Sequence, residues 1–172
     1  MSPQRIFLLQ LALAYVPWLL CFRAYVWPHL RALDPAAAQR AIATLHSFRF
    51  FGLVFLVPGV VGAGLPAGFA TFAAYGDFAT GVLAMLALLA ARVRALFWPL
   101  VVLFNVVGAI DLLTNYYHGV QFGLAAICGQ LGAAYAIPIL VVPLLLITHV
   151  AAFSLLLRKR VPGQLHVLAA KA

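Results

Sequence analysis

The sequence predicts an all-α integral membrane protein, a five-helix transmembrane bundle that forms a single domain over residues 1–172. Hydrophobic residues make up 66% of the chain and charged residues 8%, whereas an ordinary soluble domain carries about 25% charged residues. The mean hydropathy is +1.10, and the apolar runs are about 20 residues long, the length that crosses a bilayer. These observations exclude a soluble globular fold.

The five predicted spans cover about residues 6–27, 44–64, 72–92, 96–117 and 133–157. The first is predicted to be a retained helix, because no small-residue cleavage site follows Cys21 as it would in a signal peptide. Pro17 predicts a kink within it. Asp34 and Pro35 are a good N-cap and a good first helical residue, and they predict a helix from residue 36 to residue 57.

The remaining spans are less regular. The third is predicted to begin near Asp77, or near Gly68 if the helix passes through Gly76. The fourth begins with Trp98 as an interfacial anchor. Residues 119–132 carry no charge, and we expect them to lie at the outer surface or to re-enter the membrane rather than cross it.

The arginines predict the topology. The net charge is +8, and the arginines lie at the ends of apolar runs rather than in one patch, which favours lipid headgroups over nucleic acid as their partners. Five spans place residues 23–40, 92–94 and 158–160 on one side, with Arg5 as the exception. The N-terminus is then outside and the C-terminus cytoplasmic, in a bacterial-type inner membrane.

A polar stripe follows the fourth span. At roughly 100° per residue, Asn105, Gly108, Asp111 and Asn115 fall within about a third of the helix circumference. Asp111 is far from either end of the helix, so capping cannot explain it. An ionisable side chain at membrane depth is costly unless it faces protein or water, and it therefore predicts a functional site.

Asp77 is predicted to share the depth of Asp111. At 1.5 Å of rise per residue, Asp111 lies about 20 Å and Asp77 about 22 Å from the cytoplasmic ends of their helices. Because Asp77 directly follows Gly76, it either caps the third helix or joins Asp111 in one site. Two carboxylates at one depth in a low dielectric must hold a proton or a cation between them.

His46 and His149 raise the question of a haem cofactor. His46 and Arg49 are predicted near the cytoplasmic interface, either as a pair reaching to headgroups or as ligands, and His149 is predicted deeper, level with Asn105. A haem b held by His46 and His149 is disfavoured, because the two differ by roughly 10 Å in expected depth and axial ligands must bracket one iron. The sequence has no zinc signature, phosphate loop or nucleophile elbow, so no metal and no cofactor is assigned.

Three functions remain open. The first is a small transport or solute-binding protein with a proton- or cation-responsive polar pathway, formed by Asp111, Asp77, Asn105, His149, Arg49, His46 and Asn115. The second is an intramembrane enzyme or redox subunit acting on a lipid-soluble substrate, and the third is a structural subunit. Because five helices enclose little volume, we expect a homo-oligomer or a larger membrane complex. The run Arg49-Phe50-Phe51-Gly52 and the layout of small helices resemble DoxX-like membrane proteins, over too short a stretch to assign a residue or an activity.

Overall fold

The computed structural model describes residues 1–158. Lys159 and Arg160, which belong to the segment predicted to be cytoplasmic, therefore lie outside the described residues. The helices are α1 (Pro3–Ala32), α2 (Pro35–Ser47), α3 (Ala67–Leu89), α4 (Arg94–Gln121) and α5 (Ile137–Leu156). Four of them, α1, α3, α4 and α5, are long and apolar enough to cross a membrane. No β-strand occurs in the described part of the chain. The protein is therefore an all-α, multi-pass membrane protein.

Helix α1 lies at the edge of the bundle. It runs through Pro17 and widens into a π-helical turn at Phe22–Val26. Its few buried residues are Phe7, Ala14 and Leu30. Most of its apolar surface is exposed, as expected for a helix that faces lipid.

Helix α2 begins where the capping signal predicts. The Asp34 carboxylate accepts hydrogen bonds from the amides of Ala36 at 2.9 Å and Ala37 at 3.3 Å, and Pro35 is the first helical residue. The chain then tightens into a 3₁₀-helix over Phe48–Leu56. The predicted span of 44–64 is thus displaced, because residues 57–66 form an irregular loop.

Helix α2 runs alongside α5 in the opposite direction. Gln39 Nε2 donates to the carbonyl of Ala152 at 3.0 Å, near the end of α5. Beyond α2, the loop meets the segment that precedes α5, where the amide of Ala133 donates to the carbonyl of Val60 at 3.0 Å. Residues 35–64 therefore extend over the height of α5.

Helix α3 begins at Ala67 and passes through Gly76 without a break. Asp77 is consequently inside the helix, and the alternative in which it caps α3 is wrong. Helix α3 lies very close to α2: a Cβ added at Gly81 would lie 2.9 Å from the backbone nitrogen of Phe50 and 3.4 Å from the carbonyl oxygen of Ser47. Glycine at this position permits the contact between the two backbones.

The segment between α4 and α5 does not form a spanning helix. Helix α4 continues to Gln121, and a turn leads into the 3₁₀-helix Cys128–Tyr135. Gly123 and Gly132 have positive φ values of 61° and 53°. This backbone conformation favours glycine and prevents a continuous helix between α4 and α5. The segment packs against the loop that follows α2, where the amide of Gly62 donates to the carbonyl of Gln130 at 2.8 Å.

Two apolar clusters fill the core, one towards each end of the bundle. One contains Ala43, Ala84 and Ala152, and the other contains Phe55, Ala74 and Ile139. Apart from Gln39, which precedes Ala43 on α2, the buried polar side chains of α2 with its 3₁₀ extension, of α3 and of α5 lie between these residues. Apolar packing therefore encloses the polar centre from both ends.

Candidate functional site

The centre of the site is Arg49, whose side chain is 2% exposed. Its Nε donates to Asp77 Oδ1 at 2.7 Å, and its Nη2 donates to Asp111 Oδ2 at 2.5 Å. One guanidinium on the 3₁₀ extension of α2 thus joins a carboxylate of α3 to a carboxylate of α4. The cation between the two carboxylates is a side chain of this protein.

The third guanidinium nitrogen contacts α4 and α5. Arg49 Nη1 donates to the carbonyl of Gly108 at 3.3 Å and lies 3.3 Å from His149 Nε2. Because a guanidinium can only donate, His149 Nε2 is the acceptor and its Nδ1 carries the proton. That Nδ1 donates to Asn105 Oδ1 at 2.9 Å, and Asn105 Nδ2 donates to the carbonyl of Val101 at 2.8 Å. The hydrogen-bond pattern assigns a neutral imidazole to His149.

His46 stacks directly on His149, with the ring centroids 4.0 Å apart. Its Nε2 lies 3.0 Å from Thr148 Oγ1, and that hydroxyl lies 2.9 Å from the carbonyl oxygen of Leu145, to which it donates. The hydroxyl therefore accepts a hydrogen bond from His46 Nε2. In the neutral ring Nδ1 then carries no proton, and it has no partner among the described residues. Stacked rings at this distance do not bracket an iron, so this arrangement is not that of haem axial ligands.

The expected depth of His46 and Arg49 is wrong. Both are buried, with 0% and 4% of their surface exposed, and neither reaches a headgroup as an interfacial pair would. The expected depth counted the second span only from residue 44, whereas the helix already rises through the bundle from Pro35. From Pro35 to Arg49 the rise is about 21 Å, which places Arg49 at the level of the carboxylates.

Asp77 and Asp111 differ in the number of hydrogen bonds that their carboxylates accept. Asp111 uses both oxygens, since Asn115 Nδ2 donates to its Oδ1 at 3.1 Å while Arg49 binds its Oδ2. Asp77 accepts from Arg49 through Oδ1, and its Oδ2 accepts no hydrogen bond from the described residues. Asn115 Oδ1 is likewise buried without a partner in the described part of the chain. Unused acceptors therefore remain at Asp77 and Asn115.

Three glycines make room for the ion pairs. A Cβ at Gly52 would collide with the Asp77 side chain, and one at Gly76 would collide with the Asp111 carboxylate. A Cβ at Gly108 would lie 2.6 Å from both Arg49 Nη1 and His149 Nε2. From the sequence, Gly108 is predicted only as part of a polar stripe, and Gly52 and Gly76 are assigned no role in the site. No sequence signal distinguishes these glycines from those of the loops.

A cavity of about 330 Å³ adjoins the ion pairs. Most of its wall is apolar, and Asp77 and Asn115 are on its polar side. Tyr116 also lines it, with its hydroxyl oxygen 2.7 Å from that of Tyr15. Asp111 is not among the lining residues, so Asp77 is the carboxylate that faces this space.

The structure brings all seven predicted site residues into one continuous cluster. Its members are Asp111, Asp77, Asn105, His149, Arg49, His46 and Asn115. Sequence reasoning missed Thr148, which holds the His46 ring, although it directly precedes His149 in the chain. Within the described residues no group of three or more His, Cys, Asp or Glu side chains could hold a metal ion.

Residues 6–157 match the model of a family described as a domain of unknown function, DUF8737. The chain belongs to this family. The matched range includes every residue of the cluster around Arg49 and all five helices apart from the first turn of α1. No curated protein and no solved structure matches the chain.

Proposed function

We propose that this DUF8737 protein is a small membrane transport or solute-binding protein whose cluster of Arg49, Asp77 and Asp111 takes up one proton or one cation. The observation that carries the proposal is the charge of the cluster. One guanidinium and two carboxylates, all at most 10% exposed, sum to a net charge of −1. An unbalanced charge in a low dielectric costs several kcal/mol unless a counter-charge neutralises it.

Among residues 1–158, the titratable groups near the carboxylates do not supply that counter-charge. Those that face the carboxylates are Arg49, already paired with both, and His149, which accepts from Arg49 and is neutral. His46 stacks on His149 and donates to Thr148, and it forms no hydrogen bond with either carboxylate. Among the described residues no other cationic side chain contacts Asp77 or Asp111. The missing positive charge therefore comes from the medium, as a proton or a cationic solute.

We also propose that α2 and its 3₁₀ extension cross the membrane as a fifth span, with the N-terminus outside, in a bacterial inner membrane. The 22 residues of Pro35–Ser47 and Phe48–Leu56 rise by about 37 Å, which exceeds the hydrocarbon thickness of about 30 Å. The contact of Gln39 with the C-terminal end of α5 and that of Val60 with the segment before α5 support this crossing. One chain forms both the cluster and the cavity. The homo-oligomer or larger membrane complex stays a prediction.

Infrared spectroscopy tests the charge proposal directly, because the chain has only three acidic side chains, Asp34, Asp77 and Asp111. Protein in phosphatidylcholine nanodiscs is titrated in a buffer whose only added cation is N-methylglucamine, so that the proton is the available counter-charge. We expect the C=O stretch of one protonated aspartic acid near neutral pH. Asp77→Asn or Asp111→Asn removes the extra negative charge, so either variant should lose this band.

Asp34→Asn is the matched control. Asp34 is exposed and caps α2, and its removal should leave the band in place. A wild-type protein in which all three carboxylates stay ionised at neutral pH would contradict the proposal. So would two buried carboxylates that titrate independently, each unmoved by loss of the other.

A further inference from the structure

The cavity beside Asp77 has the size and chemistry of a small-molecule site. Its volume of about 330 Å³ lies at the lower end of the range of about 300–1,000 Å³ for ligand pockets. It lies between α1, α3, α4 and the segment that leads into α5, and its apolar wall includes Phe7, Phe69, Leu112 and Leu124. Gln4 and Val120, which are exposed, also line it and mark the end that is open to the outside of the bundle. The cavity thus runs from the surface to the ion pairs.

The polar side of the cavity offers a free acceptor. Asp77 Oδ2 accepts no hydrogen bond from the described residues. Asn115 Oδ1 also lacks a partner there, but it is fully buried and offers no accessible acceptor to the cavity. The hydroxyl of Tyr116 is already paired with that of Tyr15. A ligand that reaches this side is therefore recognised by N–H or O–H donors on the ligand rather than by acceptors.

The charge of the cluster selects the ligand further. Arg49 is not among the residues that line the cavity, so the cavity does not present its guanidinium to an anionic headgroup. The net charge of −1 favours a monocation, and burial strengthens a charge-assisted hydrogen bond. The apolar wall requires that the rest of the ligand be hydrocarbon.

We infer that this cavity binds a lipid-soluble amine, with one protonated amino group at Asp77 and an aliphatic or aromatic body along Phe7, Phe69 and Leu124. This inference rests on the proposed charge centre and names the class of its solute. The ammonium group takes the place of the proton that otherwise balances the cluster. One proton is released to the medium for each amine cation bound, so the charge of the cluster is unchanged.

Three probes of similar shape test the inference: 4-phenylbutylamine, 4-phenylbutanol and 4-phenylbutyrate. Binding is measured by calorimetry on protein in phosphatidylcholine nanodiscs, with the heat of partition into empty nanodiscs subtracted. We expect the amine to bind about tenfold or more tightly than the alcohol, because a charge-assisted hydrogen bond replaces a neutral one. The carboxylate should bind more weakly than the alcohol. The infrared band of the protonated aspartic acid should disappear when the amine binds.

Two variants locate the site. Asp77→Asn makes the cluster neutral, and the preference for the amine over the alcohol should fall to about twofold or less. Ala73→Leu adds bulk to the cavity wall one turn before Asp77, and it should weaken amine binding about tenfold while the infrared band remains. Ala79→Leu is its control, because Ala79 is exposed on the same helix.

The outcomes separate this inference from the proposed function. Equal affinities for amine and alcohol, with the protonated band still present, would show that the ligand class is wrong and that the charge centre stands. The loss of both the band and the preference would overturn the two proposals together. The comparison of the three probes on the wild-type protein decides between these results even if a variant fails to fold.

Discussion

Arg49 shows why the identity of a single residue determines this site. Its three guanidinium nitrogens point in three directions, to Asp77, to Asp111 and to Gly108 with His149. A lysine carries a compact ammonium that cannot reproduce this planar fork. The residue therefore ties four helical segments together through one side chain.

Removing this cation should be far more damaging than removing one carboxylate. Arg49→Leu leaves two buried carboxylates without a cationic partner, and we expect a loss of about 3–5 kcal/mol in the free energy of unfolding. Asp77→Asn should cost less, because Arg49 and Asp111 then balance each other. Denaturant or thermal unfolding in detergent measures both. Arg40→Leu is the control, since Arg40 is exposed on α2. Equal losses for Arg49→Leu and Arg40→Leu would contradict a central role for the ion pairs.

The residues of the site were only partly predictable. Asp111 could be singled out because its position within an apolar helix leaves a functional role as the main explanation. Its partner could not, since the partner depends on which helix faces lie together, and helical periodicity says nothing about lateral arrangement. The rule that two carboxylates need a cation between them predicted the chemistry correctly but not that Arg49 supplies it.

The sequence predicts some helix boundaries better than others. Asp34 and Pro35 predicted the start of α2, because capping depends on local hydrogen bonds. The tightening into a 3₁₀-helix at Phe48 had no such signal, although Gly52 and Gly81 permit close contact with α3. In α3, Gly76 suggested a break, but the helix continues through it, and glycine is required there because the Asp111 carboxylate occupies the space of a side chain. Packing between helices decided both cases.

Two glycines of α4 test the importance of that close packing. Gly108→Ala places a methyl group 2.6 Å from Arg49 Nη1 and His149 Nε2, and we expect a loss of about 1–3 kcal/mol in the free energy of unfolding. Gly119→Ala is the matched control on the same helix, because its nearest neighbour is Leu124 Cδ2 at 3.7 Å. It should be neutral or stabilising by up to about 1 kcal/mol, as alanine favours helix. Thermal unfolding of both variants makes the comparison, and a Gly108→Ala protein as stable as Gly119→Ala would refute the close packing.

For the whole molecule, the enclosed polar centre follows from the order of residues along each helix. Apolar residues at both ends of the bundle flank the cluster, with Ala43 and Phe55 on either side of Arg49 and Ala74 and Ala84 on either side of Asp77 and Thr80. Water is therefore excluded along the helices, and the cavity beside Asp77 gives the cluster a lateral approach. Under the proposed function, exchange with the medium takes place at one carboxylate rather than along the whole polar stripe.

The number of crossings decides which loops share a side of the membrane. If α2 with its 3₁₀ extension crosses, the connection between α1 and α2 and the connection between α3 and α4 lie on the same side. Arginines then lie near both connections on the cytoplasmic face, at Arg31 and Arg40 and at Arg92 and Arg94, as the positive-inside rule requires. If it does not cross, these two connections lie on opposite sides. Whether these two connections lie on the same side or on opposite sides therefore distinguishes five spans from four.

Labelling of single cysteines measures on which side of the membrane each connection lies. In a background with Cys21→Ser and Cys128→Ala, cysteine replaces one of four residues that are all exposed: Ala32, Val57, Val93 or Phe122. An impermeant maleimide is applied to right-side-out and to inverted vesicles. Five spans predict that Ala32→Cys and Val93→Cys react from the cytoplasmic face, and that Val57→Cys and Phe122→Cys react from the outer face. Labelling of Ala32→Cys and Val93→Cys from opposite faces would show that residues 35–64 fold into the bundle from one side and return to it, with Arg49 reaching the carboxylates from a helix that does not cross.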